Sequence, residues 1–356
     1  MTYYLARLVT TKTVAWLAAL LFSLETEHII ISSLIRTEPL FMVLWLGAFI
    51  LFFNYFRTSS RNVLYAALTG LLLGLATLTR PFTQLVPFIF VLFALLPFTR
   101  PQSFTFPLRK IALHMSMMVG VFILVLAPWI IRNGILFGSY RLSPIFAYIT
   151  YKNLALEIES DYLFAQGKSH SEIVTAIFKY YSDSFEKTKQ YPNQQINDTK
   201  DFLLVLTSFK AESVISSQAS ALLWSHPWFT LHRIINRQIS FFIDSAFAYN
   251  INANLKNVVD IPPQIIYPYV FWAGRVWWIM LYGCILFTVI FFPSKYVVQR
   301  KGFLTLFLLI ILYTSLLSLY PNTRLRYPIN PFIFIIAADA FIFLCGHYKN
   351  KRLLVT

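Results

Sequence analysis

The sequence predicts an all-α polytopic membrane protein with about eight transmembrane helices and a mostly helical loop domain outside the membrane. Three observations lead there. Hydrophobic residues make up 57% of the 356-residue chain and charged residues only 13%, against roughly a quarter in a soluble domain. Apolar runs of spanning length alternate with short links, and the net charge of +15 sits in those links and not along the runs. A charge of +15 on a soluble protein would raise nucleic acid as a partner. Its placement between apolar segments excludes that and follows the positive-inside pattern of membrane proteins. Aromatics at 18% fit a chain with rings at two membrane interfaces.

A helix needs about 20 apolar residues to cross the hydrocarbon core. The candidates in order are 13–33, 39–56, 62–79, 82–98, 111–131, 269–293, 303–320 and 330–347. Arg7 and Lys12 precede the first, and Glu25, Glu27 and His28 interrupt its end. It lacks a small-residue cleavage site, so it reads as an anchor and not as a removed signal peptide. The span 39–56 opens on Glu38-Pro39, with proline at a favoured first helical position. Asp339 lies near the middle of the last span, where an acid is costly and turns toward protein or water. A structural hydrogen bond to a neighbouring helix is the expected role, and whether it meets His114 is open. Cys284 and Cys345 both fall inside apolar segments and offer neither a disulfide framework nor a metal-ligand spacing.

Charge sets the orientation. One set of links carries Arg7, Lys12, Arg57, Arg61, Arg100, Arg109, Lys110, Lys295, Arg300, Lys301, Lys349, Lys351 and Arg352, and no acid. These should be cytoplasmic, which puts both termini inside. The long segment 132–268 then lies outside and holds eleven of the fifteen acids. The expected domains are therefore a membrane bundle over 1–131, an extracytoplasmic helical domain over 132–268, and a membrane region over 269–356. Within the loop domain, SEIVTAIFKYYSDSFEK and HPWFTLHRIINRQISFFI space apolar residues by three and four. Both read as amphipathic helices, the second lying on the membrane surface. Asn197-Asp198-Thr199 forms a glycosylation sequon, which matters only in a eukaryotic secretory setting.

The opposite short links hold Arg36, Arg80, Arg324 and Arg326, and Arg132 follows the fifth span. Two readings are open for each. A long cationic side chain can snorkel to the headgroups without specific contacts. Alternatively, arginines gathered against the charge rule form a phosphate site, because the guanidinium presents a planar fork of donors that never deprotonates. Glu38 likewise admits two readings. It is a carboxylate stabilised at a helix start, or a functional group that acts as base or positions an acceptor. Glu25, Glu27 and His28 make a poor metal cluster, since two acids and a histidine within four residues rarely converge on one ion. No metal and no cofactor is expected.

Five stretches taken in order carry a family resemblance: SSLIRTEPLF (32–41), GLLLGLATLTRP (70–81), APWIIRNGILFGSYRLSP (127–144), SHPWFTLHRIINRQISFF (225–242) and RLRYPINPFIFIIAADAF (324–341). The chain resembles the bacterial polytopic glycosyltransferases of the GT-C superfamily, of the kind similar to dolichyl-phosphate-mannose protein mannosyltransferases and aminoarabinose transferases. The resemblance implies a GT-C-like bundle in a bacterial inner membrane. It implies a polyprenyl-phosphate-linked sugar donor, a lipid, glycan or protein acceptor, and no nucleotide sugar. It aligns Glu38 with an acidic position at the outer start of a span, Arg80 with a basic position after a Gly-rich span, and Arg326-Tyr327-Pro328 with an Arg-Tyr-Pro segment before the final span. Glu38 is thus the catalytic candidate, and Arg80, Arg324, Arg326, Tyr327, Arg36 and Arg132 are the phosphate-binding candidates. The family carries its principal catalytic acid in a first outer loop ahead of the point where this chain begins, so a shortened version is expected. The alternatives are an inactive relative that binds the lipid carrier, and a transporter, although transporters show internal repeats that are not visible here.

Overall fold

The computed structural model describes residues 1–25, 28–29, 32, 36–57, 62–96, 107–189, 211–243, 263–293, 296, 298–317 and 326–352. Among the described residues every regular element is helical, and the protein is an all-α polytopic membrane protein. Arg324, Glu27 and the sequon at 197–199 lie outside the described residues. The chain divides into two compact units. The first is built on Met1–Leu126, Phe241–Leu317 and Asn322–Thr356, the second on Ala127–Ser240 and Ser318–Pro321.

The first unit holds α1 (Thr2–Val9), α2 (Lys12–Leu24), α3 (Glu38–Arg57), α4 (Asn62–Thr79) and α5 (Val86–Leu95), and most of α6 (Leu108–Phe137). Five described helices have stretches long and apolar enough to cross a membrane: Glu38–Arg57, Asn62–Thr79, Leu108–Phe137, Trp272–Phe291 and Asn330–His347. Three further expected spans appear as shorter apolar helices, Lys12–Leu24, Pro81–Leu95 and Gly302–Leu316. The first of these stops at Leu24 for a local reason. Glu25 turns extended (φ −68°, ψ 117°), and its carboxylate accepts the backbone N–H of His28 at 2.9 Å. A short helix ahead of it, α1, was not anticipated. Arg57 from the end of α3 donates to the Leu8 carbonyl at 2.7 Å and so satisfies an exposed carbonyl of its last turn.

Aromatic rings from α3 form the core of this unit. Phe49 meets Phe90 edge-on at 4.8 Å and lies 4.6 Å from Phe332, which in turn packs 4.7 Å from Phe307. α4 approaches α6 much more closely. A Cβ at Gly70 would collide with the Met118 carbonyl, and one at Gly74 would sit 2.8 Å from the Val125 Cβ. Gly70 and Gly74 are four apart, one turn on a single helix face, and small residues at that spacing let membrane helices approach backbone to backbone.

Two buried polar groups left open by the sequence are now placed. His114 Nδ1 lies 3.3 Å from the Tyr55 hydroxyl, and Asp339 is ion-paired with Arg300. Asp339 and His114 therefore have separate partners. Arg300 also lies 4.8 Å over the ring of Tyr296, which is fully buried and donates to the Ile336 carbonyl. The first unit also holds α12 (Pro263–Phe291), α13 (Val298–Leu317) and α14 (Asn330–Arg352); Arg300 belongs to α13 and Asp339 to α14, so the pair ties the last two membrane helices together.

The second unit holds α7 (Ile145–Thr150), a π-helical turn at Tyr151–Ala155, α8 (Leu156–Ala165), α9 (His170–Lys189) and α10 (Glu212–Ser225). It also holds α11 (Pro227–Ile243) up to Ser240. Its core gathers Tyr148, Tyr151, Leu156, Ile215, Ala219 and Leu222. α8 ends at Gly167, whose φ of +77° suits a residue without Cβ. α9 then opens with a capping box: Glu172 accepts the Ser169 N–H at 2.8 Å, and Ser169 Oγ faces the Glu172 N–H at 3.4 Å. These donors pull the Glu172 carboxyl down to about 2.

Two stability outcomes follow from this packing. Gly70→Ala is expected to lower stability by about 1–3 kcal/mol because the α4–α6 backbones must separate. Gly120→Ala, facing open space, is expected to be neutral or slightly stabilising. The thermal midpoint of the detergent-solubilised protein measures both. Asp339→Ala is expected to cost on the order of 3 kcal/mol by stranding Arg300, while the double change Arg300→Leu with Asp339→Leu recovers most of it. Equal midpoints for the single and double variants would show the pair carries no coupling.

Candidate functional site

Four expected site residues of the first unit, Glu38, Arg80, Arg326 and Tyr327, lie at one end of its bundle. α2 and α4 end there and α3 and α14 begin there, which brings Glu25, Glu38, Arg80 and the turn at 326–329 onto the same face. Glu38 occupies the first turn of α3, ahead of Pro39, where the helix dipole favours a carboxylate. Its side chain is fully buried and pairs with Arg80 at 2.7 Å. The Arg80 side chain retains 13% exposure, so the pair has a closed side and an open side.

Arg80 is held by a short, heavily bonded turn. Pro81 ends α4 and begins a single 3₁₀ turn, Pro81–Thr83. Thr83 Oγ1 donates to the Arg80 carbonyl at 3.1 Å and meets Thr77 Oγ1 at 2.8 Å. Tyr313 of α13 donates its hydroxyl to the Phe82 carbonyl. The guanidinium lies 5.8 Å over the ring of Phe41, one turn after Glu38. The Arg80 backbone is thus fixed by groups from α4 and α13, and its side chain by α3.

The second arm of the site is the turn leading into α14. Arg326 is fully buried. Its Nη1 donates to the carbonyls of Phe241 and Phe242 at 2.9 and 2.5 Å, and its guanidinium stacks 3.8 Å over Trp278. These carbonyls belong to the last turn of α11, where a cation complements the helix dipole. The sequence expectation placed Arg326 at a phosphate. The structure places it in the interior of the first unit, bonded to backbone. Tyr327 is also buried, with its ring 4.1 Å from His28. His28 in turn lies 3.7 Å from Phe22.

Trp45 connects the two arms. Its Nε1–H donates to the Pro328 carbonyl at 2.9 Å, and its ring stacks on Phe41 at 5.6 Å. A continuous path therefore runs from Arg80 through Phe41 and Trp45 to the turn that carries Arg326 and Tyr327. Sequence reading did not single out Trp45, Trp278, Thr83 or Tyr313. An aromatic inside a span gives no sign of whether it packs in the core or supports a site.

Arg36 and Arg132 make none of the contacts just described. Arg36 is exposed on the bend before α3. Arg132 belongs to the second unit, where it donates to Asn133 Oδ1 at 3.2 Å and lies 4.9 Å over Trp129. Arg324 lies outside the described residues.

Residues 1–137 match the family model for dolichyl-phosphate-mannose-protein mannosyltransferase. No curated protein and no solved structure gives a significant match. The matched segment supports the glycosyltransferase resemblance over that part of the chain. It contains Arg36, Glu38, Arg80 and Arg132 but stops short of Arg326 and Tyr327, so the Glu38–Arg80 arm alone has both geometry and family similarity behind it.

Arg326→Leu removes the cation and its donors while keeping bulk. It is expected to lower stability by about 3 kcal/mol, because two helix-end carbonyls lose a charged donor. An unchanged unfolding midpoint would contradict the structural role of this side chain.

Proposed function

We propose that the chain is a membrane glycosyltransferase that moves a sugar from a polyprenyl-phosphate donor to a lipid, glycan or protein acceptor at the outer face of the membrane. The observation that carries the reading is the Glu38–Arg80 pair. A buried carboxylate holds an arginine at the end of a rigid proline turn, within the segment that matches the mannosyltransferase family. The charge asymmetry of the links supports both termini in the cytoplasm and residues 132–268 outside, and the resemblance to bacterial transferases implies a bacterial inner membrane as the setting.

In the proposed reaction an acceptor hydroxyl or amine attacks the anomeric carbon. The bond from that carbon to the phosphate oxygen breaks, its electron pair leaves with the polyprenyl phosphate, and the proton released by the acceptor passes to that phosphate or to water. The barrier falls if the charge growing on the phosphate meets a cation already in place. Arg80 is our choice for that cation, since its backbone and side chain are both held before donor arrives. Glu38 orients the guanidinium and is our candidate to position an acceptor. Arg326 serves from behind by fixing the turn that carries Tyr327 and the Pro328 carbonyl. Arg36, Arg132 and Arg324 remain candidates for contacts to the donor phosphate.

The test uses the full chain in lipid nanodiscs with synthetic polyprenyl-phosphate sugars, measuring donor binding and sugar transfer separately. Arg80→Ala is expected to weaken donor binding on the order of tenfold or more, since a charge-assisted contact contributes about 1.5–3 kcal/mol. Unchanged binding and transfer in Arg80→Ala would falsify the assignment. Donor binding without transfer by the unaltered chain would favour the alternative of a lipid-carrier-binding partner.

A further inference from the structure

α11 presents its polarity the wrong way round for a helix in water. Along its 17 residues Trp228, Leu231, Ile235 and Ile239 recur at spacings of three and four, and each is at least half exposed. The opposite face carries Arg233 and Arg237, turned inward. Arg237 is buried and pairs with Glu157 of α8 at 2.7 Å, and Arg233 pairs with Glu157 at 2.8 Å and Asp161 at 3.3 Å. At 100° per residue, Arg237 lies about 180° around the helix from Trp228. The two arginines face protein and the outward stripe is mostly apolar, with His232 and Asn236 exposed beside it, whereas a helix at a water-facing surface does the reverse.

Of these inward charges Arg237 is held out of water, while Arg233, Glu157 and Asp161 keep about a third of their exposure. Burial pushes the Arg237 guanidinium down and the Asp161 carboxyl up from their ordinary values. A charged face desolvated against partners is costly unless those partners are well placed. With its arginines paired on the inner side, the helix leaves Trp228, Leu231, Ile235 and Ile239 as the outward stripe that needs a partner medium.

The ends of the helix show which medium that is. At its C-terminus the Phe241 and Phe242 carbonyls accept from Arg326, four residues before Asn330 opens the last membrane helix. That end is therefore held at the depth where a membrane span begins. At its N-terminus stand Trp228 and, just before the helix, Trp224, both strongly exposed. Tryptophan concentrates at the headgroup level of bilayers.

We propose that α11 is an interfacial helix whose stripe from Trp228 to Ile239 is embedded in the headgroup–acyl boundary of the lipid bilayer. The stripe enters lipid by about 5–10 Å, the usual depth of such helices. Because Arg233 and Arg237 are committed to Glu157 and Asp161, the contact is apolar and does not depend on anionic lipid. This inference is independent of the transfer reaction and holds whether or not the chain is an enzyme.

The experiment replaces Cys284 and Cys345 by serine and introduces Leu231→Cys, Ile235→Cys or Ile239→Cys, with Ser171→Cys as the water-facing reference. Each is labelled with an environment-sensitive fluorophore in the full chain and reconstituted into phosphatidylcholine vesicles. A phosphatidylcholine spin-labelled near the headgroup end of its acyl chain is expected to quench the labels at 231, 235 and 239 several-fold more than the label at 171. Aqueous iodide is expected to show the opposite order. Quenching by iodide equal to that at 171 would place the stripe in water and overturn the proposal. Shielding from both quenchers would also overturn it, by showing that protein, from this chain or a second copy, covers the stripe. Three independent label sites keep the result readable if one variant fails to fold.

Discussion

Every charge carried into a membrane bundle must find its counterpart inside the protein, because the hydrocarbon supplies none. The first unit is organised around that constraint. Glu38 meets Arg80, Asp339 meets Arg300, and Arg326 meets the carbonyls that end α11. Each pairing joins elements that are remote in the chain. The bundle can then be filled with aromatic rings around Phe49, whose packing is only weakly directional. The polar pairs set which helices are neighbours, and the rings supply area.

The same constraint makes the candidate site rigid. A lone arginine at a membrane face is mobile and snorkels. Arg80 is not of that kind, because Pro81, Thr83 and Tyr313 fix its backbone while Glu38 and Phe41 fix its side chain. Preorganised charge of this sort suits a reaction in which a phosphate becomes more negative as it leaves. Arg326, by contrast, gives Nη1 to two backbone carbonyls, so two arginines that look alike in sequence make different contacts. The inverted polarity of α11 extends the logic outward. Its charges are paired inward for the reason those of the bundle are, and its hydrocarbon face is left to the lipid.

Much of this was legible from residue order. Hydropathy located the apolar helices, including the five that reach spanning length, since a run of about 20 apolar residues has few other uses. The spacing of three and four in 225–242 marked an amphipathic helix, and the ordered motifs marked Glu38 and Arg80 within the segment the family covers. The end of α2 at Leu24 was less visible. Glu25, Glu27 and His28 signalled an interruption, but only the carboxylate of Glu25 turning back to the His28 N–H shows where the helix stops.

Local periodicity and composition thus dictate helices, their apolar faces and their membrane setting, because these depend on residues within a few turns of one another. Partner choice does not. Arg326 reaches carbonyls 84 and 85 residues away, Trp45 a carbonyl 283 residues away, and Arg300 an acid 39 residues away. No pattern in the chain distinguishes an arginine that will pair with a carboxylate from one that will cap a buried helix. Only the packed bundle decides, since it alone sets which oxygen lies within hydrogen-bonding distance of each guanidinium and how much water remains beside it.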